Sequence, residues 1–163
     1  MHGNHGCNGG LPNNAFKYWE EKEFLKETDY FYTARDGHCQ YESKKKLGQG
    51  KVSKFHENGH TEDDLLNSVV ITPTSVGVYA VPWQNYMGGI YDNLTECPAK
   101  KRDLDHAVLA VGYGADATGK KYWIIKNSWS AQWGEQGYIR LARGLTPGGM
   151  CGVALDTSYP IVR

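Results

Sequence analysis

Two apolar runs rich in β-branched and aromatic residues, His106–Gly114 (HAVLAVGYG) and Lys121–Trp129 (KYWIIKNSW), flank the turn-rich segment Ala115-Asp116-Ala117-Thr118-Gly119-Lys120. Such a pattern predicts an antiparallel hairpin. Residues equidistant from its centre, near Ala117, face one another, which sets His106 opposite about Ser128 and brings Asn127 within cross-strand reach at the open end. His106, Val108 and Ala110 share one face of the first strand and Leu109 and Val111 the other, so both faces are largely apolar, as in a buried barrel strand. A His-Asn pair at the mouth of such a hairpin suggests an oriented base, although a histidine at a strand end is by position alone more often a structural residue.

The rest of the chain supplies elements around this hairpin. Glycine-rich residues 3–12 offer backbone that another chain can approach closely at Gly9-Gly10. An amphipathic helix follows, with Pro12 in its first turn and Ala15, Phe16 and Trp19 at helical spacing toward a core. From Lys22 to Gly59 the polar, tyrosine-bearing composition predicts mostly loop. Thr61, ahead of Glu62-Asp63-Asp64, caps a helix through Leu65, Leu66 and Val69 that Pro73 stops. Strands are expected over Ser75–Ala80, Gly137–Ala142 and Ala154–Tyr159, with turns at Gly88-Gly89 and Pro147-Gly148-Gly149. There are no internal repeats and no low-complexity linker.

Charge excludes little and suggests no special partner. Acidic and basic residues balance at 18 each, and the clusters Lys44-Lys45-Lys46 and Lys100-Lys101-Arg102 are short, so solvated loops are expected rather than a nucleic-acid surface. No run approaches membrane-spanning length, and the N-terminal residues have neither the basic start nor the apolar core of a secretory signal. The four cysteines, Cys7, Cys39, Cys97 and Cys151, leave three pairings open by spacing. A metal site from His2, His5 and Cys7 lacks a fourth ligand, so no metal and no cofactor are expected. Asn93-Leu94-Thr95 is an N-glycosylation sequon, with Asn93 as the candidate acceptor. A serine-histidine hydrolase is disfavoured because Ser128 and Ser130 lack a nucleophile-turn context.

The passages LDHAVLAVGYG and KYWIIKNSWSAQWGEQGYIRLARG, with GNHGCNGGLPNNAF near the start and MCGVALDTSYP near the end, resemble the papain-like cysteine peptidases, in particular their cathepsin L-like branch. The resemblance runs from Gly3 to Pro160, in the family's order. It implies an α+β, papain-like two-lobe fold, with residues 1–57 as the remnant of a helical lobe and 58–163 as an antiparallel, barrel-like β lobe. It implies disulfides joining Cys7 to Cys39 and Cys97 to Cys151, and hence an oxidising compartment, lysosomal, vacuolar or extracellular. By the same resemblance His106 and Asn127 are catalytic. Gly9, Gly10, Leu11, Pro12, Gly77, Asp105, Trp129, Trp133 and Asp156 bind substrate, Asp156 at the floor of the pocket for the second residue before the scissile bond. The partners implied are protein or peptide substrates, the protein's own propeptide and cystatin-like inhibitors, for a monomer with no nucleic-acid or membrane role.

Peptide cleavage at mild pH needs a nucleophile stronger than water, and a thiol paired with imidazole ionises well below its ordinary pKa of about 8.5. His106 would hold the thiol's proton and return it to the leaving amine, Asn127 would orient the ring, and Trp129 would shield that bond. Two departures from the family's pattern stand out. Ser130 occupies a position where glycine is common, which introduces strain of about 1–2 kcal/mol if the backbone there takes a positive φ. The nucleophilic cysteine and the oxyanion-hole glutamine lie, in the family, N-terminal to everything present, and none of the four cysteines has a cysteine-tryptophan context. The expectation is therefore a cysteine endopeptidase represented by a C-terminal fragment, with Met1 an internal residue and no activity alone. The alternative is a non-catalytic homologue acting as a binding or structural module.

Overall fold

The computed structural model describes residues 2–97 and 100–163; Met1 lies outside them. The chain divides into two compact units, one of Met1–His56 with Pro160–Arg163, the other of Glu57–Tyr159.

In the first unit, helix α1 runs Pro12–Glu21. Pro12 starts it because its fixed φ suits the first helical turn, where its missing N–H costs nothing, and it holds Leu11 extended at φ −120°, ψ 141°. The apolar face anticipated from Phe16 and Trp19 packs on aromatic neighbours: the Phe16 and Phe55 rings are 5.9 Å apart, and Tyr18 meets Trp19 edge-on at 4.8 Å. Tyr41, buried at the start of the short helix α2 (Tyr41–Lys44), accepts the Glu23 amide on its hydroxyl at 3.1 Å. No residue of α1 is fully buried. The stretch expected to be mostly loop also contains a strand, β1 (Val52–Glu57). β1 exists because the chain end lies beside it: Lys51 and Arg163 exchange backbone hydrogen bonds of 3.4 and 3.0 Å, and the Ser53 hydroxyl donates to the Ile161 carbonyl, 108 residues on. A short alternating segment shows no such distant partner in its own sequence.

The second unit is built on strands β2 (Thr74–Val78), β3 (Ile90–Tyr91), β4 (His106–Ala115), β5 (Lys121–Lys126), β6 (Tyr138–Ala142) and the first residues of β7 (Thr157–Val162), in the order β7-β2-β4-β5-β6-β3. The β2–β4, β2–β7, β4–β5 and β5–β6 pairs are antiparallel and β3–β6 is parallel. Helix α3 (Glu62–Ile71) begins with a reciprocal capping box, in which the Thr61 side chain takes the Asp64 amide and the Asp64 carboxylate takes the Thr61 amide. Leu65 of α3 enters a core with Val76, Val78, Trp83, Trp123, Ile125, Ile139, Leu141, Met150 and Val153, all fully buried. Each such side chain contributes about 1.5–3 kcal/mol relative to exposure. No helix among the described residues is long and apolar enough to cross a membrane.

The central hairpin forms with one irregularity. Its turn is organised by Asp116, whose Oδ1 accepts from the Thr118 amide, the Thr118 hydroxyl and the Lys120 amide at 2.9, 2.6 and 3.0 Å. Gly119 takes φ +85°, which suits a residue without Cβ. From the turn, Ala115 pairs with Lys121 and Gly112 with Ile124, but beyond a bulge at Val111 the register becomes Ala110 with Ile125 and Leu109 with Lys126. Continued to the strand end, this sets His106 level with Trp129, one residue beyond the expected Ser128. Only one face of β4 is closed: Val108 and Ala110 are buried, whereas Leu109 and Val111 are partly open.

Candidate active site

His106 stands at the first position of β4, paired across to Val78 of β2, and Asn127 follows the last residue of β5. The two meet: His106 Nε2 lies 2.8 Å from Asn127 Oδ1. Asn127 Oδ1 also accepts the Ser128 amide at 2.8 Å. Asn127 is itself buried, and its own amide donates to the Gly137 carbonyl at 3.0 Å. With its oxygen held from two sides, Asn127 fixes the imidazole plane and leaves Nδ1 as the ring nitrogen for a reacting group. The indole of Trp129 stacks on the His106 ring at 5.1 Å with 26° between planes, covering the Nε2–Asn127 bond. Trp133 stands edge-on to Trp129 at 5.2 Å and donates its indole N–H to the Trp83 carbonyl at 3.1 Å.

The loop from Asn127 to Gly137 needs unusual backbone. Ser130 sits at φ +76°, so the condition under which serine in place of glycine brings strain is met. Gly137 takes φ +91°, and a Cβ there would approach the Ser130 carbonyl to 3.2 Å. Glu135 anchors the same loop, receiving Arg140 Nε and Nη2 at 2.9 and 2.7 Å and the Gly89 amide at 2.8 Å. The Arg140 guanidinium holds the Glu135 carboxyl below the usual carboxylate range and is itself held charged to higher pH.

Gly77 and Asp156 also come together. The Gly77 amide donates to the Asp156 carbonyl at 2.7 Å, and a Cβ on Gly77 would lie 3.2 Å from both the Asp156 Cβ and the Leu104 side chain. The Asp156 side chain is 46% exposed, with Lys101 Nζ 3.8 Å from its Oδ1. Asp105 Oδ1 accepts the Ala80 amide at 2.8 Å and its own amide donates to the Val78 carbonyl at 3.0 Å, so the side chain ties down the backbone beside His106.

In the first unit Gly9, Gly10 and Leu11 form an exposed strip ahead of α1, with Pro12 as the first helical residue. Asn4, which the sequence did not single out, pairs with Leu11 as a strand would: Asn4 Oδ1 accepts the Leu11 amide at 2.8 Å and Asn4 Nδ2 donates to the Leu11 carbonyl at 3.2 Å. A Cβ on Gly10 would collide with the Asn4 side chain.

The cysteines divide. Cys97 and Cys151 form a disulfide, packed under the Trp83 indole, whose N–H points at Cys151 Sγ at 3.2 Å. The expected Cys7–Cys39 bond is not formed; both are exposed free thiols. Asp36 engages Cys7: it takes the Cys7 amide at 3.3 Å, and its hydrogen bond with the thiol pushes the thiol pKa up. Of the histidines considered as metal ligands, His2 lies 3.4 Å from Glu21, and no group of three or more His, Cys, Asp or Glu among the described residues is placed to hold a metal ion. Asn93 is exposed at the sequon.

The sequence reading missed Trp83 and Glu135. Trp83 lies in VPWQNY, where Pro82 and the aromatics Trp83 and Tyr86 between two expected strands were the available signal; Glu135 gave none, since its partners, Gly89 and Arg140, approach from other elements.

The papain family cysteine protease profile matches residues 1–161. A cathepsin L-like proteinase of Fasciola hepatica is 43% identical over 163 residues, covering 98% of this chain and 48% of its own. Cysteine proteinase 3 of Solanum lycopersicum is 43% identical over 162 residues, covering 98% and 44%. The chain thus spans about half the length of the curated relatives it matches. Among solved structures, the bromelain protease of Ananas comosus in complex with the E64 inhibitor superposes with a TM-score of 0.87 at 36% identity, over 98% of this chain and 73% of that one. The digestive procathepsin L 3 of Tenebrio molitor larval midgut gives a TM-score of 0.87 at 36% identity, over 98% and 51%.

Proposed function

Because the chain belongs to the papain family of cysteine proteases, we propose that His106 and Asn127 are the base and the orienting residue of a Cys-His-Asn endopeptidase site whose thiol comes from outside these 163 residues. The 2.8 Å contact between His106 Nε2 and Asn127 Oδ1, covered by Trp129, carries this reading. A thiol at Nδ1 would pass its proton to the ring, giving a thiolate and an imidazolium, while Asn127 Oδ1 accepts the Nε2–H. Attack of the thiolate on the peptide carbonyl forms an acyl-thioester. The C–N bond breaks as His106 returns the proton to the leaving amine, and a water activated by the neutral ring then hydrolyses the thioester.

The nucleophile is placed outside the chain for two reasons. In the unit that holds His106, both cysteines are joined in a disulfide; Cys7 and Cys39 are followed by Asn8 and Gln40, not by tryptophan. The chain alone is accordingly inactive. A non-catalytic homologue, the second reading, is favoured by the same lack of a free thiol in that unit. The test separates them: a longer product of the gene that hydrolyses fluorogenic peptides in a thiol-dependent manner, with activity abolished by His106→Ala, supports the peptidase, and a longer product with intact fold and no turnover overturns it.

Substrate binding is assigned to Gly9, Gly10, Leu11 and Pro12 in the first unit, an exposed strip able to take an extended peptide by strand addition, and to Gly77, Asp156, Trp129 and Trp133 in the second. Asp105, next to His106, belongs to the same substrate-binding set, and its carboxylate also holds the Ala80 amide. At the pocket floor Asp156 receives an arginine guanidinium, and Leu104 beside it favours leucine, valine or phenylalanine. Lys101, itself 57% exposed, is a weakly held competitor for the carboxylate. The reading extends to a propeptide, since the solved relatives include a procathepsin, to cystatin-like inhibitors, to a monomeric state, and to a lysosomal, vacuolar or secreted location consistent with the Cys97–Cys151 bond.

A further inference from the structure

The sequence contains a single Asn-x-Ser/Thr tripeptide, Asn93-Leu94-Thr95, and Glu96 rather than proline follows it. All four residues are exposed. The local turn engages only the oxygens of Asn93. Its side-chain Oδ1 accepts the Thr95 amide at 3.2 Å and the Glu96 amide at 3.3 Å, and its backbone carbonyl accepts the Cys97 amide at 3.1 Å. No described residue takes a hydrogen bond from Nδ2. The Thr95 hydroxyl likewise has no described partner; only its backbone N–H is used.

We propose that Asn93 carries an N-linked glycan. The class of donor is a polyprenyl-pyrophosphate-linked oligosaccharide: Nδ2 displaces the pyrophosphate from the anomeric carbon, an N–C bond replaces the C–O bond, and the Nδ2 proton leaves with the polyprenyl pyrophosphate. The product is still an amide, so Oδ1 keeps both of its acceptor contacts and the turn survives the change. One Nδ2 hydrogen, engaged by no described residue, is replaced by the sugar, and the exposure of residues 93–96 gives it solvent to occupy. The compartment is indicated separately by Cys97, four residues on, whose disulfide to Cys151 forms where oxidising conditions and glycan transfer coincide.

The geometry supplies clean variants. Asn93→Asp keeps an oxygen at the Oδ1 position and removes the acceptor nitrogen. Thr95→Ala removes the hydroxyl that completes the sequon and leaves every recorded hydrogen bond of the turn in place. Thr95→Ser keeps the hydroxyl. The chain is produced behind a cleavable secretory signal in a eukaryotic host, and the readouts are an endoglycosidase-sensitive mobility shift and, after enzymatic deglycosylation, conversion of Asn93 to Asp in the mass spectrum. Expected are a shift in the natural chain and in Thr95→Ser, its complete loss in Asn93→Asp and Thr95→Ala, and a Cys97–Cys151-linked peptide in all four. A secreted natural chain with the disulfide formed and Asn93 unmodified overturns the proposal, as does a shift that persists in Asn93→Asp.

Discussion

Ser130→Gly is expected to stabilise the protein relative to Ser130→Ala, and the sign of that difference is diagnostic. At φ +76° an L-residue carries about 1–2 kcal/mol of strain, which glycine relieves. Against this, glycine adds about 0.5–1 kcal/mol of unfolded-state entropy. Either substitution deletes the bond from the Gln132 amide to Ser130 Oγ, 3.2 Å and exposed, costing about 0.5 kcal/mol. The net for glycine lies between a loss of about 0.5 and a gain of about 1 kcal/mol, whereas alanine keeps the strain, loses the bond and falls about 0.5 kcal/mol below the natural chain. Urea unfolding followed by tryptophan fluorescence reads the three midpoints at a common slope. In an ordinary exposed loop with negative φ, alanine is the more stable of the two because glycine gains more entropy on unfolding. A midpoint for Ser130→Ala at or above that of Ser130→Gly therefore refutes the strained geometry of this loop.

Gly137→Ala should lose about 1–3 kcal/mol, from its φ of +91° and the 3.2 Å approach to the Ser130 carbonyl; on the proposed peptidase reading kcat/KM of a longer product of the gene falls as well, because the Gly137 carbonyl holds Asn127. Replacing Cys97 and Cys151 by serine removes a bridge with a sequence separation of 54, worth about 4 kcal/mol in the chain-entropy description, and a urea midpoint within error of the natural chain's would contradict it. Glu135→Gln should cost about 1–2 kcal/mol at neutral pH by weakening its bonds to Arg140 and Gly89. Because the folded carboxyl titrates below its ordinary 4.5, that contribution is complete above 4.5 and disappears as pH falls through the lowered folded value, so the gap between natural and variant chains closes on acidification. A gap that widens toward low pH would contradict the assignment. On the proposed peptidase reading, Asp156→Ala in a longer product of the gene should reduce the arginine-to-leucine preference at the second residue before the scissile bond by roughly 10- to 150-fold, for a charged hydrogen bond of about 1.5–3 kcal/mol; an unchanged ratio places Asp156 outside the pocket.

Local pattern was enough for much of this chain. Pro12 and Thr61 mark the starts of α1 and α3 because helix initiation depends on φ restriction and on side-chain caps within three residues. Alternation and a turn hexapeptide give the β4–β5 hairpin, and from it the meeting of His106 with Asn127, because antiparallel pairing is set by the nearest turn. Composition could not give features that depend on distant partners. β1 becomes a strand only because Ile161 and Arg163 come alongside it. The hairpin centre lies one residue later than the turn pattern suggests, which alone would set His106 level with Ser130, and the bulge at Val111 brings it back to the level of Trp129. Asp105 was legible as a neighbour of the histidine but not as the holder of Ala80, and Cys7 was legible as a cysteine but not as a thiol engaged by Asp36. Ser130 shows the division most clearly. The sequence supplies a serine, and only closure of the loop between Asn127 and Gly137, with both ends fixed by the sheet, decides that its backbone must turn left-handed.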